Sequence, residues 1–271
     1  RDLSFNLIQD RFNDFTIPIS ADLTHILLGN NKITGTLPNT FLTPQIQLKF
    51  LDLGNNRIGG EIPPAISVLT ELLELKLHGN LFSEFVTGFF QNLVKVQILT
   101  LDNNNLRGSI PPYILQLPSL IQLGLSNNNN LILNFTSVEN ITEGMQILTL
   151  QGNGIYGKIP DELFTITNLT KLDISSNKIS SHVPEGIGQL QKLKYLSLAN
   201  NQFTSQLPSS IGTITTLENL YLENNMFVGE IPDSYNGLLN LKYFVLSNNY
   251  LTGMLPSNFF RKVRFLLRFD A

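Results

Sequence analysis

The stretch Leu51-Asp52-Leu53-Gly54-Asn55-Asn56-Arg57-Ile58-Gly59-Gly60-Glu61-Ile62-Pro63 decides the fold, because its pattern returns along the whole chain. Its first half has the form Leu-x-Leu-x-x-Asn. Close copies end at Asn80, Asn104, Asn128, Asn153, Asn177, Asn201 and Asn225, and weaker copies end at Asn6, Asn31 and Asn249. Successive asparagines are always 24 or 25 residues apart. A fixed period of this length predicts a solenoid of stacked repeats.

Each copy of the pattern describes one coil of the chain. The two leucines alternate with polar or variable residues, which predicts a strand with one buried face. The asparagine turns the chain off that strand, and its amide can pair with backbone groups that a buried turn would leave unsatisfied. An apolar residue and a proline follow six and seven positions later in most copies. The proline predicts the start of a helical turn, at Pro38, Pro63, Pro111, Pro160, Pro184, Pro208, Pro232 and Pro256.

The combined pattern resembles the plant-type leucine-rich repeat, Leu-x-x-Leu-x-Leu-x-x-Asn-x-Leu-x-Gly-x-Ile-Pro, over essentially the whole chain. The resemblance implies an α/β solenoid, a right-handed superhelix with one parallel β-strand per coil on the concave face. Short lateral strands and 3-10 turns are expected on the convex side. We expect residues 1–271 to form a single solenoid of about 11 repeats. Both terminal caps are expected to be missing, because residue 1 falls inside a strand pattern and the chain stops before another repeat asparagine.

The composition argues against several classes of function. Apolar residues make up 42% of the chain and charged residues 14%, so there is ample material for a core. A net charge of −3 argues against a nucleic-acid surface, which would show a basic excess. Because the chain has no cysteine for a thiolate site, we expect neither a metal nor a cofactor. No run of about 18 apolar residues occurs, so a membrane tether is expected only outside these residues.

Candidate binding residues follow from the register of the strands. Side chains six, four and two positions before each repeat asparagine should point outward, and equivalent positions of neighbouring coils lie ~4.8 Å apart. We predict a ligand-binding patch on the concave face at Tyr195, Asn219, Tyr221, Glu223 and Tyr243. Exposed tyrosines suit the recognition of a peptide or a sugar. The alternative is that tyrosine is simply a good strand residue on a half-exposed surface.

A second group of outward positions carries mixed charge, at Asp52, Glu74, Lys76, His78 and Asp102. We interpret it as a solvated face whose charges pair with one another. His78, Asp102 and Ser126 share one column, but the aspartate lies between the other two. That order leaves the histidine about 10 Å from the serine, too far for a nucleophile and its base. We therefore assign no catalytic residue and do not expect an enzyme.

Three N-glycosylation sequons begin at Asn134, Asn140 and Asn168. By register all three lie away from the outward strand positions. A glycan attached to any of them would therefore not block a ligand on the concave face. A chain rich in asparagine, serine and threonine also produces sequons by chance. Together with the resemblance, they favour an extracellular or cell-surface protein.

Two classes of function remain open. The resemblance implies the ectodomain of a receptor-like kinase or receptor-like protein, or an inhibitor similar to the polygalacturonase-inhibiting proteins. Such a domain would bind a protein, a peptide or a glycan on its concave sheet. The alternative is a structural or scaffold subunit of an extracellular assembly, which would bind through lateral or convex edges. Ice binding is less favoured, because the outward columns mix charged, aromatic and small residues.

Overall fold

One sheet strand per coil recurs along the chain, as the repeat predicts. The computed structural model describes residues 2–12, 22–42, 47–84, 88, 90–128 and 130–271. The chain divides into two compact units, Arg1–Leu133 and Asn134–Ala271. Each unit has the predicted leucine-rich-repeat architecture of parallel strands joined through lateral strands and short helices. The prediction of one solenoid over residues 1–271 also takes in residues outside the described part.

The first unit is built around a parallel sheet of three-residue strands. These strands are His25–Leu27, Phe50–Asp52, Glu74–Lys76, Ile98–Thr100 and Gln122–Gly124. Neighbouring strands pair in strict register, so that His25 lies beside Phe50 and Phe50 beside Glu74. The lateral strands are Thr34–Thr36, Arg57–Glu61, Leu81–Glu84, Arg107–Ser109 and Asn130–Asn134. The helices are the α-helix Asn39–Leu42 and the 3-10 helices Pro64–Val68, Phe90–Asn92 and Pro112–Gln116.

The second unit repeats this plan. Its sheet strands are Ile147–Thr149, Lys171–Asp173, Tyr195–Ser197, Asn219–Tyr221, Tyr243–Val245 and Arg268–Asp270. Its lateral strands are Gly154–Gly157, Lys178–Ser181, Gln202–Phe203, Val228–Gly229 and Tyr250–Leu251. Its 3-10 helices are Phe135–Ser137, Asp161–Thr165, Glu185–Gln189, Ser209–Thr213 and Asp233–Gly237, and an α-helix spans Phe259–Lys262. The two four-residue α-helices are departures from the 3-10 turns that the repeat predicts.

The repeat asparagines hold neighbouring coils together. The side-chain amide of Asn177 donates to the carbonyl of Ile174 in its own coil at 3.1 Å and to that of Leu150 in the preceding coil at 3.0 Å. Its Oδ1 accepts the backbone N–H of Ile155 at 3.1 Å. Its amide also donates to the carbonyl of Ser175 at 2.9 Å, so one buried side chain satisfies four backbone groups that lie in two coils. These contacts confirm the prediction that the repeat asparagines pair with backbone groups at the turn; we call the row of these asparagines the asparagine ladder.

Leucines and prolines fix the rest of each coil. Leu196 and Leu198 alternate with Ser197 along one strand, and both leucines are completely buried. Pro208 is extended at φ −66° and precedes the 3-10 helix Ser209–Thr213. This is the helical start that the repeat proline predicts. Proline has the required φ, and its missing N–H has no partner in the first turn of a helix. The outward sheet positions are therefore held on a rigid support.

Candidate ligand-binding face

The predicted patch lies on one face of the sheet of the second unit. Tyr195, Asn219 and Tyr243 occupy equivalent positions in three consecutive strands, and the pairing places Asn219 between the two tyrosines. Tyr221 lies two residues after Asn219 on the same face, and Glu223 follows two residues later. All five side chains are half-buried. We call Tyr195, Asn219, Tyr221, Glu223 and Tyr243 the tyrosine patch.

The ring of Tyr195 is held by contacts on several sides. It lies 5.5 Å from the ring of Tyr221 between centroids, with 47° between the planes. The Nζ of Lys171 is 4.8 Å from the Tyr195 ring centroid, a cation–π contact. The Tyr195 hydroxyl donates to Oδ2 of Asp173 at 3.4 Å. Burial, followed by the charge of Asp173, raises the pKa of Tyr195, so its hydroxyl stays a donor at neutral pH.

Small side chains separate the larger ones on this face. Ser197, Ala199 and Val245 point outward by register, yet only 4%, 3% and 3% of their surfaces are exposed. Larger neighbours therefore shield them, and the solvent meets mainly the tyrosines and the polar groups of the patch. The side-chain amide of Asn219 donates to the hydroxyl of Tyr221 at 3.4 Å. The resulting surface offers aromatic area bordered by hydrogen-bonding groups.

Glu223 is the acidic residue of the tyrosine patch. Its Oε2 is buried and has no hydrogen-bond partner among the residues that the structure describes. Burial is the largest influence on its carboxyl and raises its pKa, whereas a hydrogen bond from its own backbone N–H and the nearby charge of Arg268 act in the opposite direction. The charges of Asp270 and Asp173 add to the increase. The ionised form of Glu223 is therefore poorly stabilised by the protein itself.

Arg268 and Asp270 extend this face, although sequence reasoning did not include them. Their strand pairs with Tyr243–Val245 and places Arg268 beside Tyr243. The Nη2 of Arg268 lies 3.1 Å from Oδ2 of Asp270. The signal was available, because Phe269 follows Phe244 by one repeat period of 25 residues. The pattern locates each strand by an asparagine four residues after it, and the sequence runs only to Ala271, so the pattern does not find this strand.

The mixed-charge positions of the first unit mostly engage one another and the backbone. Lys76 Nζ lies 2.6 Å from a carboxylate oxygen of Glu74. Oδ1 of Asp52 accepts the backbone N–H of Gly54 at 2.9 Å. These contacts agree with the interpretation of the group as a paired, solvated face.

The column of His78, Asp102 and Ser126 has the order that the sequence predicts. Nδ1 of His78 is 3.1 Å from the hydroxyl oxygen of Thr100. Oδ1 of Asp102 accepts the backbone N–H of Ser126 at 2.9 Å, so the serine meets this aspartate through its backbone. Over the described ranges, no cluster of three or more histidine, aspartate or glutamate side chains has the arrangement to hold a metal ion.

The three sequon asparagines lie in the second unit and outside its sheet strands. Asn134 and Asn140 are exposed and Asn168 is half-buried. Oδ1 of Asn134 accepts the N–H of Thr136 at 3.2 Å and caps a short 3-10 helix. Oδ1 of Asn168 accepts a hydrogen bond from Nζ of Lys192 at 2.7 Å. Among the described residues, no helix has both the length and the apolar character needed to cross a bilayer.

Comparisons with solved structures identify plant proteins. The plant peptide hormone receptor RGFR1, solved in complex with RGF2, is 31% identical, with a TM-score of 0.84 over 95% of this chain and 41% of that one. The Arabidopsis receptor kinase HAESA ectodomain, solved with an extended IDA peptide hormone, is 32% identical, with a TM-score of 0.79 over 87% of this chain and 40% of that one. A plant ice-binding protein is 25% identical, with a TM-score of 0.73 over 90% of this chain and 78% of that one.

This chain thus spans about two fifths of the length of the two receptor chains. No curated protein sequence matches it. Two family profiles do match, one described as "Leucine rich repeat" over residues 143–203. The other, "Leucine Rich Repeat", matches residues 22–43, 47–69, 95–117, 216–238 and 240–261, so that the two together take in more than half of the chain. The chain therefore belongs to the leucine-rich-repeat family, and its repeats are of the type found in plant receptor ectodomains.

Proposed function

We propose that this chain is a recognition domain that binds a peptide on the tyrosine patch. The observation that carries the proposal is the arrangement of Tyr195, Tyr221 and Tyr243 around Asn219 on one rigid sheet face. Tyrosine supplies a large apolar surface with little side-chain entropy to lose, which is why it is common at binding hot spots. Because short strands fix the backbone beneath the rings, little further ordering is needed on binding.

The polar groups of the patch suit a peptide backbone. A peptide presents alternating N–H donors and C=O acceptors. Asn219 offers both kinds of group, the tyrosine hydroxyls can donate or accept, and Glu223 accepts. Hydrogen bonds from these side chains would fix the direction of the peptide, while the rings contribute most of the buried area.

The structural relatives support a peptide over a sugar. RGFR1 was solved in complex with RGF2, and the HAESA ectodomain was solved with the IDA peptide hormone. This chain shares their repeat type over most of its own length. Those relatives also support an extracellular or cell-surface setting, which the exposed sequons at Asn134 and Asn140 favour independently.

We do not propose ice binding for this chain, although one structural relative is an ice-binding protein. Ice-binding faces need one type of side chain repeated at equal spacing. The row on this face reads Tyr195, Asn219, Tyr243 and Arg268, with neighbouring residues in register. This mixture of aromatic, amide and charged groups suits a ligand with varied chemistry.

The test is selection from a phage library of random linear peptides against the purified domain. Recovered peptides are then measured by calorimetry on the wild type and on a variant in which Tyr195, Tyr221 and Tyr243 are all alanine. We expect at least a roughly tenfold loss of affinity in the variant, because hot-spot side chains contribute about 2 kcal/mol or more. Circular dichroism and thermal melting establish that the variant is folded.

The matched control replaces two exposed tyrosines that lie on lateral strands. Tyr156 is 46% exposed and Tyr250 is 67% exposed, and both are changed to alanine. This control should bind the recovered peptides as the wild type does. Equal affinity of the triple variant and the wild type would rule out the tyrosine patch as the binding site.

A scaffold role remains the second candidate because of one exposed lateral surface. Val228 and Tyr250 lie beside each other on paired lateral strands and are 43% and 67% exposed. Contact through this edge would place a protein partner away from the sheet face. In that case the lateral control variant would lose binding to the partner, and the triple variant would keep it.

A further inference from the structure

Glu223 differs from the other carboxylates of the sheet face in how its oxygens are used. Oδ1 of Asp173 accepts the hydroxyl of Ser175 at 2.6 Å. Oδ2 of Asp270 receives the guanidinium of Arg268 at 3.1 Å. By contrast, Oε2 of Glu223 is buried without a hydrogen-bond partner in the described part of the chain. An unpaired buried carboxylate oxygen is energetically unfavourable, so it gains strongly from any donor that reaches it.

Small residues occupy the positions equivalent to Glu223 in the preceding and following coils. The backbone N–H of Asn200 donates to the carbonyl of Glu223, and that of Asn224 donates to the carbonyl of Ser247, so the parallel pairing continues through this level. The equivalent positions in the neighbouring coils are Ala199 and Ser247. Both side chains are shorter than that of Glu223, although Ala199 is itself only 3% exposed, and Tyr221 precedes Glu223 by two residues on the same face. Glu223 is therefore a half-buried carboxylate on the face that also carries the ring of Tyr221.

The rings of this face already show how they interact with positive charge. Lys171 places its ammonium 4.8 Å from the centroid of the Tyr195 ring. The other nearby cation, Arg268, is paired with Asp270. An aromatic face beside a carboxylate that has an oxygen without a partner is a combination that suits ammonium and guanidinium groups. A neutral side chain would leave Glu223 unpaired, and an anionic one would be repelled by it.

We propose that the tyrosine patch selects peptides with an arginine or lysine side chain, whose cationic group is bound by the carboxylate of Glu223 beside Tyr221. This specificity rests on the proposed peptide-binding function of the same patch. The aromatic rings supply binding area for many peptides, whereas Glu223 discriminates among them by charge. It is a specificity-determining residue rather than part of the structural core.

The binding should depend on pH in a definite direction. Burial raises the pKa of Glu223, with Asp270 and Asp173 adding to the increase and Arg268 opposing it. Lys171 and the hydroxyl of Tyr195 also face this region; burial and the charge of Asp173 raise the pKa of Tyr195, so its hydroxyl keeps its proton over the acidic and neutral range. A cationic ligand prefers ionised Glu223, so affinity is present above the raised pKa and is lost as the pH falls through it.

The experiment uses the peptides recovered by the phage selection. Recovered sequences are first counted for arginine and lysine against the unselected library, and enrichment is expected. Pairs of synthetic peptides with blocked ends then carry either arginine or the neutral, isosteric citrulline at the enriched position. We expect the citrulline peptide to bind the wild type about tenfold more weakly. In Glu223→Gln the two peptides should bind within about twofold of each other, and their affinities should no longer fall at acidic pH.

The matched control is Glu230→Gln, which removes an equal charge from an exposed position outside the sheet strands. It should keep the full preference for arginine. If the recovered peptides depend on the tyrosines but show no enrichment of arginine or lysine, the charge specificity is wrong and peptide binding stands. The same holds if Glu223→Gln keeps the preference. If no recovered peptide depends on the tyrosines, the binding function fails, and the specificity proposal fails with it.

Discussion

At the scale of single residues, the repeat asparagines carry a large share of the stability. Asn104 is 6% exposed; its amide donates to the carbonyls of Leu77 and Leu101 at 3.1 and 3.0 Å, and its Oδ1 accepts the N–H of Phe82 at 3.1 Å. Asn104→Ala leaves these buried groups unpaired, so we expect a loss of roughly 2–4 kcal/mol in the free energy of unfolding. Urea denaturation of both proteins measures it.

The neighbouring asparagine gives the control for this prediction. Asn105 is exposed, and Asn105→Ala should change stability by less than about 0.5 kcal/mol. Equal effects of the two substitutions would show that the ladder hydrogen bonds contribute little beyond those of any asparagine near the turn.

Glu223 should lower the stability of the folded chain at neutral pH. An acid whose pKa is higher in the folded than in the unfolded state destabilises the fold above that pKa, and the penalty disappears as the pH falls through it. We therefore expect Glu223→Gln to melt at a higher temperature than the wild type at pH 7. The two midpoints should converge below the ordinary glutamate pKa of about 4.5. A lower midpoint for the variant at pH 7 would contradict the destabilising burial of Oε2 without a partner.

The sequence predicts which residues point outward but not how exposed they are. Direction follows from the two-residue period of a strand, so Tyr221 and Ser197 were both assigned correctly to the outer face. Exposure depends on side-chain rotamers and on neighbours from other coils, and Ser197 is only 4% exposed. The buried oxygen of Glu223 has the same origin. No spacing in the chain reports whether a carboxylate turns toward solvent or toward its neighbours.

At the scale of elements, the 3-10 helices of the second unit pack closely enough to exclude a methyl group. A Cβ at Gly212, in the helix Ser209–Thr213, would collide with the backbone carbonyl of Ser234 in the next coil. Because a backbone atom cannot move aside as a flexible side chain can, we expect Gly212→Ala to lower stability by roughly 1–3 kcal/mol. Differential scanning calorimetry measures this change.

A glycine in a lateral strand of the first unit provides the comparison. A Cβ at Gly59 would lie 3.6 Å from Cβ of Leu81, an ordinary van der Waals contact. Gly59→Ala should therefore be neutral or slightly stabilising, since alanine restricts the unfolded chain more than glycine does. If both substitutions destabilise the chain equally, the contact between Gly212 and Ser234 is not the cause of the loss of stability.

The elements that the sequence predicts are those with a repeated chemical marker. The 3-10 helix Pro112–Gln116 follows Pro111 as expected, because proline fixes the backbone there. The strand Arg268–Asp270 lies outside the predicted binding face, since the pattern locates a strand by an asparagine four residues after it and the sequence runs only to Ala271. The α-helix Phe259–Lys262 follows the last repeat proline in place of a 3-10 turn. The α-helix and the 3-10 helix differ little in energy over a single turn, so packing decides which of them forms.

At the scale of the whole molecule, the repeat divides each coil between two tasks. Inward leucines and the repeat asparagine provide the contacts between coils, as at Leu196 and Asn177. Outward positions make few of those contacts, so they can change without loss of the fold. This separation explains why Tyr195, Asn219 and Tyr243 differ at equivalent positions while the inward residue that follows each of them is always large and apolar, at Leu196, Leu220 and Phe244. The proposed specificity therefore rests on a surface whose side chains contribute little to the contacts between coils.

The same division governs where sugars can be carried. Asn134, Asn140 and Asn168 lie outside the sheet strands, and N-linkage leaves the Oδ1 cap of Asn134 on Thr136 intact. We expect protein secreted from insect cells to lose mass at Asn134 and Asn140 on enzymatic deglycosylation, because both are exposed. Peptide affinity measured before and after deglycosylation should agree within about twofold, since the glycans would project away from the tyrosine patch. Unmodified asparagines in the secreted protein would count against the sequons, whereas binding that appears only after the sugars are removed would place them across the sheet face.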